Sequence, residues 1–438
     1  MKDRVLIGDL KDHVGKDVII GAWVDVRRDQ GKMVFFNFRD RSGVVQGVVL
    51  PNSGAMEVAH GLRSEYVVSV QGTVNQRPEK NVNSAVQNGD IELEIKKIEI
   101  LNAAHEIPFE KDADINLDTR FDHRPFTLKS ARDQDIFKVQ ATITRAYRDS
   151  LARQGFLDFQ APALVGEDAE GGSAVFKVHY FYDQTAYLAT SPQLYKQIMV
   201  GSFERAFTIA KIFRAEKSAT TRHLSELTQM DFEMGFINDE FDVMAVLETV
   251  VKDTVAATVA EHQGVFDRMK VSAPLVPAEF PRLTLAEALA IVGGSGDDME
   301  PEHERAICEW SKKEKGSDFV FITKFPTKAR AFYTMSDTEP GLSRGFDLLF
   351  RGLEINSGAQ RIHDYQTLVD RIKDRKLDPN KFSFYLQAFQ YGIPPHGGCS
   401  TGLERLTARM LELQNVKEAS AFPRDMNRID TLLRRDED

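Results

Sequence analysis

The chain has 438 residues, 56 Lys+Arg against 66 Asp+Glu, 42% apolar residues and two cysteines. That length allows about two to four domains, and the net charge of −10 argues against a surface coated with basic groups for nonspecific nucleic-acid binding, leaving room for a local basic face. No apolar run approaches the ~18 residues of a membrane span, no leader-like stretch follows Met1-Lys2-Asp3-Arg4, and Cys308 and Cys399 are too few for a disulfide framework or a four-ligand zinc site, so a reducing, cytoplasmic setting with no membrane association is expected.

Residues 1–105 hold 14 Lys+Arg and 14 Asp+Glu, so the rest of the chain carries all the excess negative charge and the N-terminal part reads as a module of its own. From Asp17 to Leu101 short alternating strands are predicted. Ile20, Ala22, Val24 and Val26 face one way and Trp23, Asp25 and Arg27 the other, with further strands at 33–38, 44–50, 66–71 and 91–100. Turn signals at Asp29-Gln30-Gly31 and Asp40-Arg41-Ser42-Gly43 separate them, and five short strands in this space suggest an oligonucleotide-binding type of barrel. Residues 105–132 lack periodicity and read as a linker, so the domain boundaries are expected at 1–104, 105–132 and 133–438. Beyond it, Ile136, Val139, Ile143, Ala146, Tyr147 and Leu151 repeat at helical spacing, with Gly155 placed to end the helix. Strands at 206–213, 229–236, 346–350 and 353–355, with a helical stretch at 243–260, lack regular βαβ alternation and favour an α+β domain on an antiparallel sheet.

Four segments carry candidate chemistry. In Phe213-Arg214-Ala215-Glu216, a strand puts Arg214 and Glu216 on one face, where a guanidinium suits a phosphate and a carboxylate suits an exocyclic amine; an ordinary ion pair on a solvated hairpin leaves the same trace. Gly397-Gly398-Cys399-Ser400-Thr401-Gly402 opens an apolar-periodic helix whose first turn holds Arg405, either a phosphate contact or a plain turn; no Walker or dinucleotide fingerprint fits it. Asp347 to Arg361 sets Asp347 and Glu354 on apolar strands, so each carboxylate needs a metal ion or a cationic partner, magnesium on a triphosphate or a salt bridge to Arg351 or Arg361. Glu170-Gly171-Gly172-Ser173 has the composition of a small lid, and Gln193 and Lys196 share a face if Ser191 to Gln197 is helical; the alternative is a surface loop followed by a helix with a solvated lysine.

In this order the segments resemble a class II aminoacyl-tRNA synthetase: the Phe-Arg-x-Glu strand and loop its motif 2, Gly402 to Arg405 the end of motif 3, and the helix with Phe156 to Pro162 motif 1. The barrel, Leu117 to Phe126 and the tail Phe422-Pro423-Arg424-Asp425 match the class IIb subgroup. Ser191–Gln197 and Glu354–Arg361 resemble the aspartyl-tRNA synthetases of archaeal and eukaryotic type. The resemblance implies a six-stranded antiparallel catalytic sheet in a homodimer, with ATP and L-aspartate forming an adenylate whose acyl group passes to tRNA(Asp), charging of tRNA(Asn) being left open. It implies that Arg214 holds the α-phosphate and the substrate carboxylate, Glu216 the adenine amine, Arg222, His223 and Leu224 the outer phosphates and base, and Gly402 and Arg405 the γ-phosphate and adenine. Glu354 and Ser357 would position Mg2+. Glu170 would capture the α-amine of the aspartate, Gln193, Lys196 and Arg361 would recognise the amino acid, and Asp347 would support that pocket, with Arg214, Arg405 and Glu354 at the centre of catalysis. Two positions depart from the family pattern: Ser400-Thr401 where glycine is commoner, and Leu227 where the base-stacking residue is often aromatic. Such chemistry needs orientation and charge neutralisation but no protein nucleophile, in keeping with the lack of a nucleophile-and-base pair. In the barrel, Phe35, Gln46 and Arg27 would face the anticodon, Phe35 as a stacking platform, with barrel core as its alternative role. An asparaginyl-tRNA synthetase and an RNA-binding paralogue with a decayed catalytic site are the competing readings.

Overall fold

The computed structural model describes residues 3–84, 86–111, 113–167, 174–218 and 220–433. The chain divides into two compact units, Met1–Ala113 and Asp114–Asp438.

In the first unit, β1 (Asp17–Asp29), β2 (Val34–Asp40), β3 (Gly43–Val49), β4 (Val67–Gln76) and β5 (Ile91–Asn102) close a barrel in the order β1-β2-β3-β5-β4. Val18, Ile20, Ala22 and Val24 point inward, as the alternation requires. The predicted inward set fails at its last member: the register of β1 on β2 skips Asp25, a bulge that turns Val26 outward to 41% exposure.

The second unit is built on eight strands: β6 (Leu157–Asp158), β10 (Arg205–Phe213), β11 (Glu226–Gly235), β12 (Arg282–Thr284), β13 (Phe319–Thr323), β14 (Gly345–Phe350), β15 (Leu353–Gln360) and β16 (His396–Gly402). A separate three-stranded sheet holds β7 (Leu164–Val165), β8 (Lys177–His179) and β9 (Thr185–Leu188). The large sheet runs β12-β13-β14-β15-β16-β11-β10-β6. Its central six strands are antiparallel throughout, and β6 and β12 each add a short parallel strand at an edge, so the expected six-stranded sheet is present with two additions. The Gly-rich segment is strand β16, which removes the plain-turn alternative, and only Gly402 caps the helix Leu403–Met410.

One face of the sheet buries Phe207, Met230, Phe232, Met234, Phe346, Leu348 and Cys399 under the helices Ala131–Arg153 and Glu240–Met269. Ser130 caps the first of these through the Asp133 amide at 3.2 Å, and Gly155, at φ +79°, follows its end. Residues 105–132 divide between the two units. From Asp114 onward they form the short helices Leu117–Asp122 and Arg124–Thr127, tied to the C-terminal tail by Arg124 on the Ala421 carbonyl at 2.6 Å and Arg428 on Asp122 at 2.6 Å. Among the described residues no helix is long and apolar enough to cross a membrane.

Candidate active site

Side chains two apart on a strand share a face, so the sequence Gln229-Met230-Asp231-Phe232-Glu233-Met234 sends its apolar members into the core and its polar members to the opposite side. Register extends that polar side across the sheet: Asp347 lies opposite Ser357, Ser357 opposite Ser400, Ser400 opposite Asp231 and Asp231 opposite Thr208. This row is the floor of a cleft. Ser400, at a departure from the family pattern, donates to Asp231 at 2.7 Å, and Thr401 on the other face accepts from Asn356 at 2.7 Å. The hydroxyls thus join the sheet's polar bonding.

Two adjoining cavities occupy the cleft. The larger, about 620 Å³, is lined by Gln193, Arg214, Glu216, Arg330, Glu354, Ser357 and Arg361 among others; the smaller, about 150 Å³, by Arg222, His223, Leu224, Leu227, Gly402 and Arg405. Arg214, Gln229, Glu354, Ser357 and Ser400 line both. The predicted residues from four separate segments therefore meet in one place. Arg214 and Glu216 lie just beyond the end of β10 rather than within it, where the Arg214 amide donates to the Ser225 carbonyl at 2.9 Å. The loop between β10 and β11 is pinned from the C-terminal side by Ser225 on the Arg424 carbonyl at 2.8 Å and Val416 on that of Thr221 at 3.0 Å. Glu170 lies outside the described residues.

Glu354 and Ser357 are three apart, which on a regular strand would put them on opposite faces. The register of β14 on β15 passes from Leu349–Glu354 to Leu348–Asn356, so Ile355 is an extra residue and the bulge returns both side chains to the cleft. Burial raises the Glu354 carboxyl above the usual carboxylate range, Arg405 opposing it and Asp347 and Glu304 adding to it. Arg405 donates to the Glu354 carbonyl at 2.9 Å and stands 3.5 Å from its carboxylate. A carboxylate held in this way gains from a cation, and the all-oxygen pair Glu354 and Ser357 suits a hard divalent ion. Among the described residues no three His, Cys, Asp or Glu converge to hold a metal, so most of such an ion's positions would fall to water and phosphate oxygens.

Asp347 pairs with neither arginine that the sequence suggested. Arg351 turns away to Asp318 at 3.0 Å, and Arg361 to Glu233 at 2.9 Å. The partner is Arg330, outside the four candidate segments; it makes two bonds to Asp347, at 3.0 and 2.7 Å.

Lys196 is corrected on both alternatives: neither solvated nor facing the cavities, it is fully buried, with Nζ 2.9 Å from Asp231, 3.4 Å from Glu233 and 3.0 Å from the Cys399 carbonyl. The expected helix, Gln193–Phe203, places it behind the cleft floor. Arg361 is the cation that reaches the cavity; it donates to Glu233, to the Gly398 carbonyl at 2.9 Å and to Gln193 at 3.3 Å. Burial would raise Glu233, but Arg361 and Lys196 outweigh it and hold the carboxyl below its usual range. Gly398 is required here, because a Cβ at that position would come within 2.2 Å of Glu233 Oε2. Asp231 and Glu233 are not among the candidate residues of the sequence; their alternation with Met230, Phe232 and Met234 is the signal that marks them as one polar face.

The network ends at His396. Its Nδ1 bonds the Pro394 carbonyl at 2.9 Å, which leaves Nε2 to accept from Gln197 at 2.8 Å. Burial pushes its pKa down to about 4. The folded ring therefore stays neutral where the unfolded chain takes up a proton, and stability falls as pH drops from about 6.5 towards about 4, at up to about 1.4 kcal/mol per pH unit. Urea unfolding of the wild type and of His396→Gln at pH 6.5 and 4.5 checks this. The stability gap between them should shrink at the lower pH; a constant gap would show that His396 does not titrate in that window.

In the barrel, Phe36 and Phe38 are fully buried and stack at 5.3 Å, whereas Phe35 is half-exposed on the outer face. Arg28, opposite Phe35, donates to Asn37 at 3.2 Å and to Gln46 at 3.3 Å. Arg27 lies opposite the inward Phe36 and bonds the Ala59 carbonyl at 3.2 Å and Asp29 at 2.8 Å, so Arg28 rather than Arg27 is the arginine beside Phe35 and Gln46.

Both halves of this description have counterparts among known proteins. Residues 18–101 match the OB-fold nucleic acid binding domain, and residues 116–426 match the family described as tRNA synthetases class II (D, K and N). An aspartate–tRNA(Asp/Asn) ligase of Thermus thermophilus is 42% identical, with 97% of this chain and 99% of that protein covered. An aspartate–tRNA(Asp) ligase of Thermococcus kodakarensis is 38% identical, with 95% and 96% covered. Among solved structures, asparaginyl-tRNA synthetase from Pyrococcus horikoshii complexed with asparaginyl-adenylate superposes with a TM-score of 0.90 at 30% identity, covering 98% of this chain and all of that one. Aspartyl tRNA synthetase from Entamoeba histolytica gives 0.85 at 28%, covering 97% and 92%. With an OB-type barrel, a catalytic sheet whose polar row floors the cleft, and a family match over most of its length, the chain belongs to the class II tRNA synthetases of the D, K and N group.

Proposed function

We propose that the chain is an aspartate–tRNA ligase, activating L-aspartate with ATP and transferring it to the 3′ end of tRNA(Asp). The observation that carries this reading is the meeting of Arg214, Glu216, Glu354, Gln193 and Arg361 around one cavity. A substrate α-carboxylate oxygen attacks the α-phosphorus of ATP, and pyrophosphate leaves. A hydroxyl of the terminal tRNA ribose then attacks the acyl carbon of the adenylate, and AMP leaves. Arg214 neutralises charge that develops on the α-phosphate and orients the attacking carboxylate, while Arg405 and the Arg222–His223–Leu224 loop receive the outer phosphates and the base. Glu216 accepts from the adenine amine. Leu227, in the smaller cavity, offers the base an apolar contact in place of an aromatic stack. Mg2+, held by Glu354 and Ser357, would supply further charge neutralisation on the phosphates. Arg361 meets the side-chain carboxylate with Gln193 beside it, Lys196 adds its charge from behind the floor, and Asp347 braces Ser357 through Arg330. Glu170 is assigned to the α-amine.

The aspartate relatives, aligned over nearly the whole chain, support the choice of amino acid. A homodimer in the cytoplasm, with residues 1–104 as the anticodon-binding part, 105–132 as the joining segment and 133–438 as the catalytic part, is proposed with it. Pyrophosphate exchange driven by aspartate and not by asparagine is the test; the reverse preference would establish the asparaginyl reading, and exchange with neither the non-catalytic one. Aminoacylation of purified tRNA(Asp) and tRNA(Asn) then decides whether one tRNA or both are charged.

For the barrel, Phe35→Ala is expected to weaken tRNA charging about five- to 150-fold, the loss of one stacked base, at unchanged pyrophosphate exchange. Charging and exchange that fall together would assign Phe35 a structural role instead.

A further inference from the structure

Arg330 lies outside the four candidate segments of the sequence, yet it is a tightly held cation on the cleft wall. It follows the turn Thr327–Ala329, whose carbonyls are held by Arg375: Nη2 bonds those of Thr327 and Arg330 at 2.7 Å, and Nη1 that of Lys328 at 3.1 Å. Its guanidinium lies 3.6 Å over the Phe325 ring. From there it spans two strands, taking both oxygens of Asp347 on β14 and donating to Ser357 Oγ on β15 at 3.1 Å. Only 16% of the Arg330 side chain and 10% of the Asp347 side chain remain exposed.

Around Ser357, Glu354 and Asp347 therefore stand in unlike states. Glu354 lines both cavities, with Arg405 3.5 Å from its carboxylate. Asp347, whose strand partner is Ser357, has both oxygens engaged by a two-point guanidinium clamp, and a cation seeking it must first displace that clamp. Magnesium binds through one or two carboxylates together with phosphate oxygens, and sheds its water reluctantly. With Asp347 engaged, Glu354 and Ser357 offer one carboxylate and one hydroxyl, too little to compete with hydration.

We propose that Arg330 is a positioning residue that withholds Asp347 from the divalent cation, so that the ion enters the cleft with the nucleotide and not before it. This rests on the assignment of Glu354 and Ser357 as the cation's protein contacts. Arg330 also donates to Ser357 Oγ, which restricts how that hydroxyl meets the ion or the substrate.

Mn2+, a spectroscopic stand-in for Mg2+, provides the test through electron paramagnetic resonance titration of the full chain, without ATP and with it. The wild type should bind Mn2+ alone at least tenfold more weakly than in the presence of ATP. Arg330→Met, which frees Asp347 to join Glu354, should bind Mn2+ alone at least tenfold more tightly than wild type, and Arg330→Met/Asp347→Asn should return to the wild-type value. Equal affinity of wild type and a folded Arg330→Met overturns the proposal, as does tight binding of Mn2+ to the wild type without ATP. If Arg330→Met fails to fold, Arg330→Lys, which keeps a charge but loses the two-point clamp, should still show a gain of about threefold; no gain there overturns the proposal equally. An absence of aspartate-driven exchange in the wild type would count against the proposed ligase activity and leave these binding comparisons intact.

Discussion

Arg214→Ala and Arg405→Ala are each expected to lower aspartate-dependent pyrophosphate exchange by about a hundredfold to a thousandfold or more, on a chain that still folds. Each removes a charge-assisted contact to phosphate groups whose charge grows in the transition state, and the loss of one such donor costs about 3–4 kcal/mol. The structure separates the two. Arg214 lines both cavities and makes no side-chain hydrogen bond or ion pair among the described residues, so its removal should leave the unfolding midpoint nearly unchanged. Arg405 also bonds the Glu354 carbonyl at 2.9 Å, which adds a modest structural loss, and Arg405→Lys should restore part of the exchange. Either alanine variant working within about threefold of wild type at saturating substrates would remove that arginine from the site.

The second large effect is at Lys196. Replacing it by leucine leaves Asp231 and Glu233 on the fully buried cleft floor without their shared ammonium. Breaking a buried pair from one side costs about 3–5 kcal/mol, because the partner charges stay behind uncompensated. Urea unfolding should show that loss, and adding Asp231→Asn should return part of it by exchanging a stranded charge for a neutral amide. The same variant should depress kcat/KM for aspartate about a hundredfold or more, since Arg361 must then answer both Glu233 and the substrate carboxylate while Asp231 goes unopposed from behind. Asparagine, uncharged at that position, should change far less. A stability loss below about 1 kcal/mol, with an unaltered aspartate-to-asparagine preference, would dissociate Lys196 from both roles.

The electrostatics of the pocket follow from the same four groups. Lys196 and Arg361 face Asp231 and Glu233, so the buried floor is neutral before any ligand arrives. An incoming carboxylate meets cations already oriented by fixed carboxylates, which lowers the reorganisation needed at binding. The price is rigidity at this end of the cleft, seen in Gly398, where no side chain larger than hydrogen fits beside Glu233.

Much of this was legible in one dimension because it depends on local spacing. The inward alternation of Ile20, Ala22 and Val24, the helical repeat of Ile136, Val139 and Ile143 ending near Gly155, and the short motifs around Arg214, Glu354, Arg361 and Arg405 are all set by backbone geometry over a few residues. Three matters needed the tertiary structure. Bulges at Asp25 and Ile355 shift the alternation by one, and a shift of one reverses which face a side chain takes, so Val26 turns outward while Glu354 and Ser357 come to share the cleft. Ion-pair partners follow distance in space: Asp347 met Arg330 rather than the nearer-numbered Arg351, and Lys196 met two carboxylates 35 and 37 positions away in the chain rather than solvent. Burial decides charge behaviour, and composition does not encode it: His396 stays neutral, Glu354 resists ionisation and Glu233 holds its charge, because neighbours from four or more strands and loops set the local dielectric and field.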